Sequence, residues 1–533
     1  MADIGTTTGG EPKAEKPGVG MFDLLSIAQY FPSVNKPMQH PSFREKMKWT
    51  GIILVLFFLL GSISIWGVNS AAVAQFQFLE IVFGAKIGSV LTLGIGPIVT
   101  ASIILQLFVG SKLVNWNLQD PKDKIKFTST QKLLTIFFCF FEAGAYVLTG
   151  AIPPVDNSLF MITIVILQLA AGGILVMFMD EVVSKWGIGS GISLFIAAGV
   201  SKTIILRIFN PLAVDGTLPT LENPASGLLF TIFNALGAGQ PSQALTALLP
   251  IISTVMVFAI VIFMQNIHVE IPMAFSLPFG RFGARKWPLK FFYTSNIPVI
   301  LTAAVLANLQ LLGSILYSRG ITILGSYNEQ GVATDGLMYL LRSPTSESVI
   351  LVAIITGLIG LVSAIFLGDL LMKRKSIRAG IIGIVIGTIV GVIAVNYIGF
   401  SAITLLDGLH IFVYILAYVI GSTIFSIFWV NTAGMDAHSV AEQFKGYSIV
   451  IPGFRHDPRI IESILSRYIP VLTVLGGATI GLLAAYADIT GALGTGTGIL
   501  LTVMIIYQFY EQIMAQHSED IPPSIKRILE GGV

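Results

Sequence analysis

Two glycine-rich runs and one isolated carboxylate are the places where this chain's residue types could do chemistry. Gly187-Ile188-Gly189-Ser190-Gly191 and Gly494-Thr495-Gly496-Thr497-Gly498 have the glycine density of a phosphate cradle. A nucleotide-binding loop, however, follows a strand and carries G-x-x-x-x-G-K-[ST], a pattern absent from this sequence. The second run enters an apolar segment, and the same caution applies to the first, so both read as turns that allow close helix packing. No H-E-x-x-H is present, the six histidines are scattered, and Cys139 is the single cysteine. That excludes a disulfide framework and a four-thiolate metal site. No catalytic residue, metal or cofactor is expected. Glu142 stands inside an apolar stretch, where an acidic side chain costs roughly 2.5–3.5 kcal/mol on insertion scales and needs a partner or a wet cavity. Residue type alone leaves two readings open: a polar contact at a moving helix interface, or a static interhelical hydrogen bond.

The elements that must carry these residues are dictated by composition. Apolar residues make up 54% of the 533 and charged residues only 11%, less than half the share of a soluble domain. Such a chain cannot cover its core with solvated side chains, and the bilayer is its solvent. Apolar runs long enough to span fall near 49–67, 90–110, 132–150, 158–179, 191–209, 245–268, 297–317, 348–372, 379–402, 408–430, 468–486 and 493–515. They are continuous rather than alternating, which favours helices over a barrel. Residues 22–31 are too short to span and read either as an amphipathic surface segment or as a connector. With the N-terminus inside, 26 of the 31 Lys and Arg fall on the cytoplasmic side, as the positive-inside rule requires. Both termini are expected inside, and the loop at 210–244, with no Lys or Arg, outside.

The second apolar region is broken. Residues 71–84 are interrupted by Gln75, Gln77 and Glu80 and end at Gly84-Ala85-Lys86. Leu93-Gly94-Ile95-Gly96-Pro97-Ile98-Val99-Thr100 then starts a true span, with Pro97 suited to a helix's first turn. Irregular backbone at membrane depth is tolerated only where protein shields it or it lines a cavity, which points to a pore.

This stretch resembles the SecY family, the central subunit of the Sec protein-conducting channel. The resemblance continues in Asp180-Glu181-Val182-Val183-Ser184-Lys185-Trp186 and the glycine run after it, in Tyr293-Thr294-Ser295-Asn296-Ile297-Pro298-Val299-Ile300, in Ile451-Pro452-Gly453-Phe454-Arg455, and in Thr490-Gly491-Ala492-Leu493 with the second glycine run. The wording looks closest to the archaeal–eukaryotic branch. The resemblance implies an all-α polytopic membrane protein, a two-half inverted-repeat bundle of ten spans. It implies a plug (about 71–88), here Gln77, Phe78, Leu79, Glu80, Ile81, Val82, Phe83, Gly84 and Lys86. It implies an aliphatic pore ring at Ile95, Val99, Ile192, Ile196, Ile300 and Leu501. Locally, Ile95/Val99 and Ile192/Ile196 are spaced to share one helix face, and such a ring gates by dewetting. The polar lateral-gate contacts match Thr100, Glu142 and Asn308, with Ile297 at the start of the seventh family span. Loops contacting the ribosome match 269–295 and 431–467, with Arg281, Arg285, Lys286 and Arg455 as candidates.

Two spans exceed the family's ten. The surplus, 348–402, carries Gly383, Gly387 and Gly391 at the four-residue spacing that lets helices approach, and reads as a peripheral hairpin near the gate side. The organisation expected is therefore a tail (1–48), a five-span half (49–209), an outer loop (210–244), and the first part of the second half (245–347). The hairpin (348–402), the rest of that half (403–515) and a second tail (516–533) follow. The resemblance implies two small single-span partners (SecE/gamma and beta), the ribosome, signal sequences and nascent chains, and a cell-membrane location in an archaeon. The alternative is a small-solute secondary transporter, which also uses broken helices and inverted repeats.

Overall fold

A computed structural model describes residues 33–517, apart from 40, 69–87, 111–112, 115, 117–119, 149–151, 157, 214–218, 220–224, 277–281, 295, 329–331, 345–348, 360–383, 394–403, 447–448, 451–457 and 495. The expected plug (Gln77 to Lys86), Arg281, Arg455, the segment 22–31 and the hairpin's basic loop lie outside the described residues, and of Arg285 and Lys286 only the backbone is described.

Polar residues at the membrane edges start the helices. Ser42 and Glu45 form a reciprocal capping box for α1 (Phe43–Leu60), and Thr404 and Asp407 form another for α12 (Leu405–Thr432), each satisfying orphan amides that lipid cannot. Between them run α2 (Gly96–Gly110), α3 (Pro121–Leu148), α4 (Leu159–Trp186), α5 (Gly191–Phe209), α6 (Leu228–Gly237), α7 (Pro241–Gln265), α8 (Ile297–Ser318) and the short α9 (Gly336–Leu340). After α9 come α10 (Val349–Ile359) and α11 (Ile384–Ile393). Beyond α12 the chain forms α13 (Ala437–Gly446), α14 (Pro458–Ile489) and α15 (Gly496–His517). Seven of the described helices are long and apolar enough to cross a membrane, and α2, α6, α10 and α11 are shorter apolar helices. Several run past the apolar windows read from sequence: α3 starts at Pro121 and α14 at Pro458. Intrahelical bonding continues into polar residues that hydropathy excludes.

Two features were not legible as such. The loop at 210–244 contains the apolar helix α6. The chain, expected to be all helix, also forms a three-stranded sheet in the order β2-β1-β3. In it, β1 (His268–Ser276) pairs antiparallel with β2 (Phe282–Lys290), from His268↔Lys290 to Ser276↔Phe282. The two-residue β3 (Ile449–Val450) adds to β1 through Ala274 and Phe275. Two loops far apart in sequence thus share one platform at one end of the bundle, hereafter the sheet end. A two-residue strand gives no periodicity for sequence to display.

Small residues set the helix spacing. On α14, a Cβ at Gly481 would lie 2.1 Å from Ser422 Oγ and one at Gly477 2.7 Å from Ser426 Cβ. The two serines of α12 fill the space and donate to the carbonyls of Gly477 (2.6 Å) and Thr473 (2.8 Å). Small residues and interhelical hydrogen bonds replace the hydrophobic drive that lipid removes. The same device pairs α10 with α11: Cβ atoms at Gly387 and Gly391 would meet the Cα of Thr356 (2.8 Å) and Val352 (3.1 Å). Sequence adjacency to α12 suggested the gate side for this hairpin. In the structure α10 packs through Leu351 and Ile354 on Leu249 and Met256 of α7 and on Tyr486 of α14. Tyr486 Oη donates to Ala353 O at 2.8 Å, and Gly357 leaves room for the phenol. Side-chain fit selects the docking face.

Candidate functional site

One large buried hydrophobic cluster, aliphatic with some aromatic side chains, joins the helices of the bundle. It includes Ile95, Val99, Ile196 and Leu501, with Ile192 and Ile300 packed against it half-buried. These six come from four separate segments: the entry to α2 with α2 itself, and α5, α8 and α15. Phe57 of α1 stacks on Phe195 of α5 at 4.6 Å beside them.

The backbone leading to Ile95 is irregular. Residues 88–96 descend in tight turns: Thr92 N–H donates to Ser89 O (3.0 Å), Gly94 N–H to Leu91 O (2.8 Å) and Gly96 N–H to Leu93 O (3.0 Å). Gly94 has φ 51°, a left-handed conformation that glycine adopts without steric cost. Leu91 and Leu93 are fully buried, so protein shields this backbone as membrane depth demands.

Thr100 and Glu142 meet. Thr100 Oγ1 donates to Glu142 Oε1 at 2.9 Å, joining α2 to α3. Nearer the sheet end the same helices are joined again, where Gln131 Nε2 donates to Ser102 Oγ at 2.6 Å. Among the described residues no hydrogen bond ties Asn308 of α8 to this pair. Its neighbour Ala307 does belong to the buried cluster that holds Cys139 and Ala143 of α3. Ile297 opens α8 and packs on the central cluster. The polar bond therefore lies within the α2–α3 side, and apolar contact closes the space toward α8.

At the sheet end, β2 docks through Trp287 edge-on to Phe444 of α13, ring centroids 4.9 Å apart. Tyr293 Oη donates to Met435 O at 2.7 Å. Burial, with a smaller contribution from the Asp436 carboxylate, pushes this phenol up to about 12. His438 on α13 lies 3.2 Å from Glu462 of α14, whose carboxylate holds the exposed imidazole above its ordinary value. Lys290 bridges to Glu511 of α15. These ties brace the platform on which Arg285 and Lys286 sit.

Two carboxylates emerge to which sequence reasoning gave no role, Asp180 named only within a motif and Asp488 not at all. Asp180 Oδ1 accepts the amide of Ile192 at 2.9 Å. Asp488 Oδ1 accepts the amide of Thr497 at 2.9 Å, its other oxygen accepts from Thr497 Oγ1, and Tyr414 Oη donates to that oxygen at 2.8 Å. An aspartate near the end of an apolar run looks like a simple membrane boundary. The available signal was its recurrence just upstream of each glycine-rich run.

A bundle of apolar helices gathered on a buried hydrophobic centre, entered by a broken backbone, defines a polytopic α-helical membrane protein. The family model described as SecY matches residues 89–510. The chain is 39% identical over 506 residues to the protein translocase subunit SecY of Methanococcus vannielii, covering 95% of this chain and 99% of that one. It is 39% identical over 509 residues to that of Methanocaldococcus jannaschii, covering 96% and 100%. Among solved structures it resembles a protein-conducting channel (TM-score 0.72, 38% identity, 94% and 99% covered). It also resembles Sec61 in a canine ribosome–channel complex from the endoplasmic reticulum (TM-score 0.70, 38% identity, 94% and 99% covered). The chain belongs to the SecY family. A small-solute transporter finds no support in these likenesses.

Proposed function

We infer that this chain is the channel subunit of a protein translocase. It passes unfolded polypeptides across the membrane and releases apolar segments sideways into lipid. It performs no catalysis of its own, and the driving force comes from a partner. The observation that supports this reading is that Ile95, Val99, Ile192, Ile196, Ile300 and Leu501, from four separate segments, all belong to or pack against one hydrophobic cluster. A waist lined only by aliphatic side chains offers no partner to ions or water and sheds them by dewetting. It also makes no lasting polar bond to a peptide in transit. The segment Gln77–Lys86 is assigned as the plug behind this waist.

The side exit opens between α2–α3 and α8–α12. Thr100, Glu142, Ile297 and Asn308 border it, and an apolar signal sequence compensates for the contacts it parts. The sheet end faces the cytoplasm with both termini, which the placement of Lys and Arg supports. Arg281, Arg285, Lys286 and Arg455 lie on or beside the β1–β2–β3 platform in sequence and suit ribosomal RNA phosphates. The likeness to a channel in a ribosome complex supports that partner. Two small single-span subunits, SecE/gamma and beta, complete the assembly in an archaeal cell membrane.

Cysteine crosslinking tests the central claim. Ile196→Cys and Ile300→Cys are expected to form adducts with a stalled nascent chain, and Phe263→Cys, whose side chain is exposed on α7, none. Adducts from the control alone, or from no position, would overturn the assignment.

A further inference from the structure

The two glycine-rich runs begin helices at opposite ends of the bundle. Helix α5 starts at the sheet end, beside Gln512 and Phe509 of α15, and α15 starts at the other end and finishes there. Counted from the first residue of each helix, the second residue is Ile192 or Thr497 and the sixth is Ile196 or Leu501. The second residue's amide is in both cases the one bonded to a carboxylate of the preceding helix, at 2.9 Å. The sixth is in both cases a residue of the waist. The glycine two positions before each helix has nearly the same left-handed φ, 70° at Gly189 and 74° at Gly494. One device thus occurs twice, in opposite directions.

Its physical basis is the orphan amides of a helix start, which have no intrahelical acceptor and in apolar surroundings no water either. Ser190, at the N-cap of α5, makes no side-chain bond to those amides, so Asp180 supplies the acceptor from α4. A Cβ at Gly191 would fall 2.5 Å from the Cα of Asp180, which explains why glycine opens this helix. Asp488 does the same for α15 and, through Tyr414, ties it to α12. A carboxyl oxygen, the negative end of its own bond dipole, is favourably placed at the positive end of the helix dipole in both cases. A slip of one residue moves a helix by about 1.5 Å along its axis, which shifts its waist side chain against those of the other helices.

We propose that Asp180 and Asp488 are paired positioning residues that pin the first turns of α5 and α15, and thereby hold Ile196 and Leu501 at the depth where they seal the waist. The proposal rests on the channel reading above. Its test is halide leak from proteoliposomes holding the complete translocase with a stalled chain in transit, normalised to assembled complex. Asp180→Ala and Asp488→Ala are expected to raise the leak about tenfold, the population shift that loss of one helix cap can produce, and the Asn variants by less. Ser190→Asp placed in Asp180→Ala supplies a local cap and should restore sealing, a recovery that a merely packing role for Asp180 would not give. Ile196→Ser in the same vesicles separates the two readings. If it leaks while the aspartate variants, assembled, seal like the parent, the positioning role is overturned and the waist stands. If it does not leak, the waist assignment fails and the positioning role falls with it. An Asp180→Ala chain that does not assemble, and that Ser190→Asp does not recover, also overturns the proposal.

Discussion

Glu142 illustrates how a single side chain is made tolerable in an apolar helix. Its carboxyl takes a hydrogen bond from Thr100. Thr100→Val keeps the shape and removes the donor, leaving an unmade bond that costs about 1–3 kcal/mol. On the channel reading this loosens the α2–α3 side and lowers the signal hydrophobicity needed for recognition. Asn308→Leu shifts the same threshold from the opposite side of the exit. A translocation assay over signals of graded hydrophobicity checks both, and an unchanged threshold removes these residues from the gate. At the sheet end, His438 gives a pH-dependent contact. Glu462 raises its folded pKa, so the proton is held more tightly in the folded chain. The pairing is complete below the ordinary value of 6.5 and is lost as pH rises through the folded one. A proton NMR titration should find the midpoint above 6.5, and Glu462→Gln should lower it.

Among the described elements, α12 and α14 make the most extensive helix–helix contact. Ser422 reaches Gly477 O because Gly481 leaves room for the hydroxyl. In Gly481→Ala the new methyl would sit 2.1 Å from Ser422 Oγ and 2.5 Å from the backbone oxygen of Tyr418. Overpacking of this kind costs about 1–3 kcal/mol. The melting temperature of the detergent-solubilised complex should fall, and Ser422→Ala combined with it should recover part of the loss. By contrast Gly144 meets nothing within 4 Å of a built Cβ, and Gly144→Ala should leave the melting temperature unchanged.

For the whole molecule, most Lys and Arg lie outside the apolar runs. The β1–β2–β3 platform joins two loops whose Lys and Arg number among the 31 in the chain. If that platform binds ribosomal RNA, log affinity falls linearly with log salt, and each phosphate contact contributes about 0.7–0.9 to the slope. Replacing Arg285 and Lys286 together by Gln should reduce the slope by up to two such contacts. Ribosome affinity that is insensitive to salt would remove phosphate binding from the account.

By itself the sequence determined that this chain lives in a bilayer, which stretches carry most of its apolar helices, and which motifs carry its family likeness. Bilayer thickness sets helix length and the cost of buried charge sets composition, so both are written in one dimension. The spacing of Ile192 and Ile196 placed them on one face, and the Gly94-Ile95-Gly96-Pro97 break marked an irregular entry into α2. Periodicity names a face but not the neighbour it meets. Only the tertiary structure decided that Asp180 reaches Ile192 and Asp488 reaches Thr497, that two distant loops pair through β1 and β3, and that α10 packs on α7 and α14. Each of these depends on the approach of segments far apart in sequence, governed by which small residue leaves space for which side chain. That fit exists only once the helices have come together.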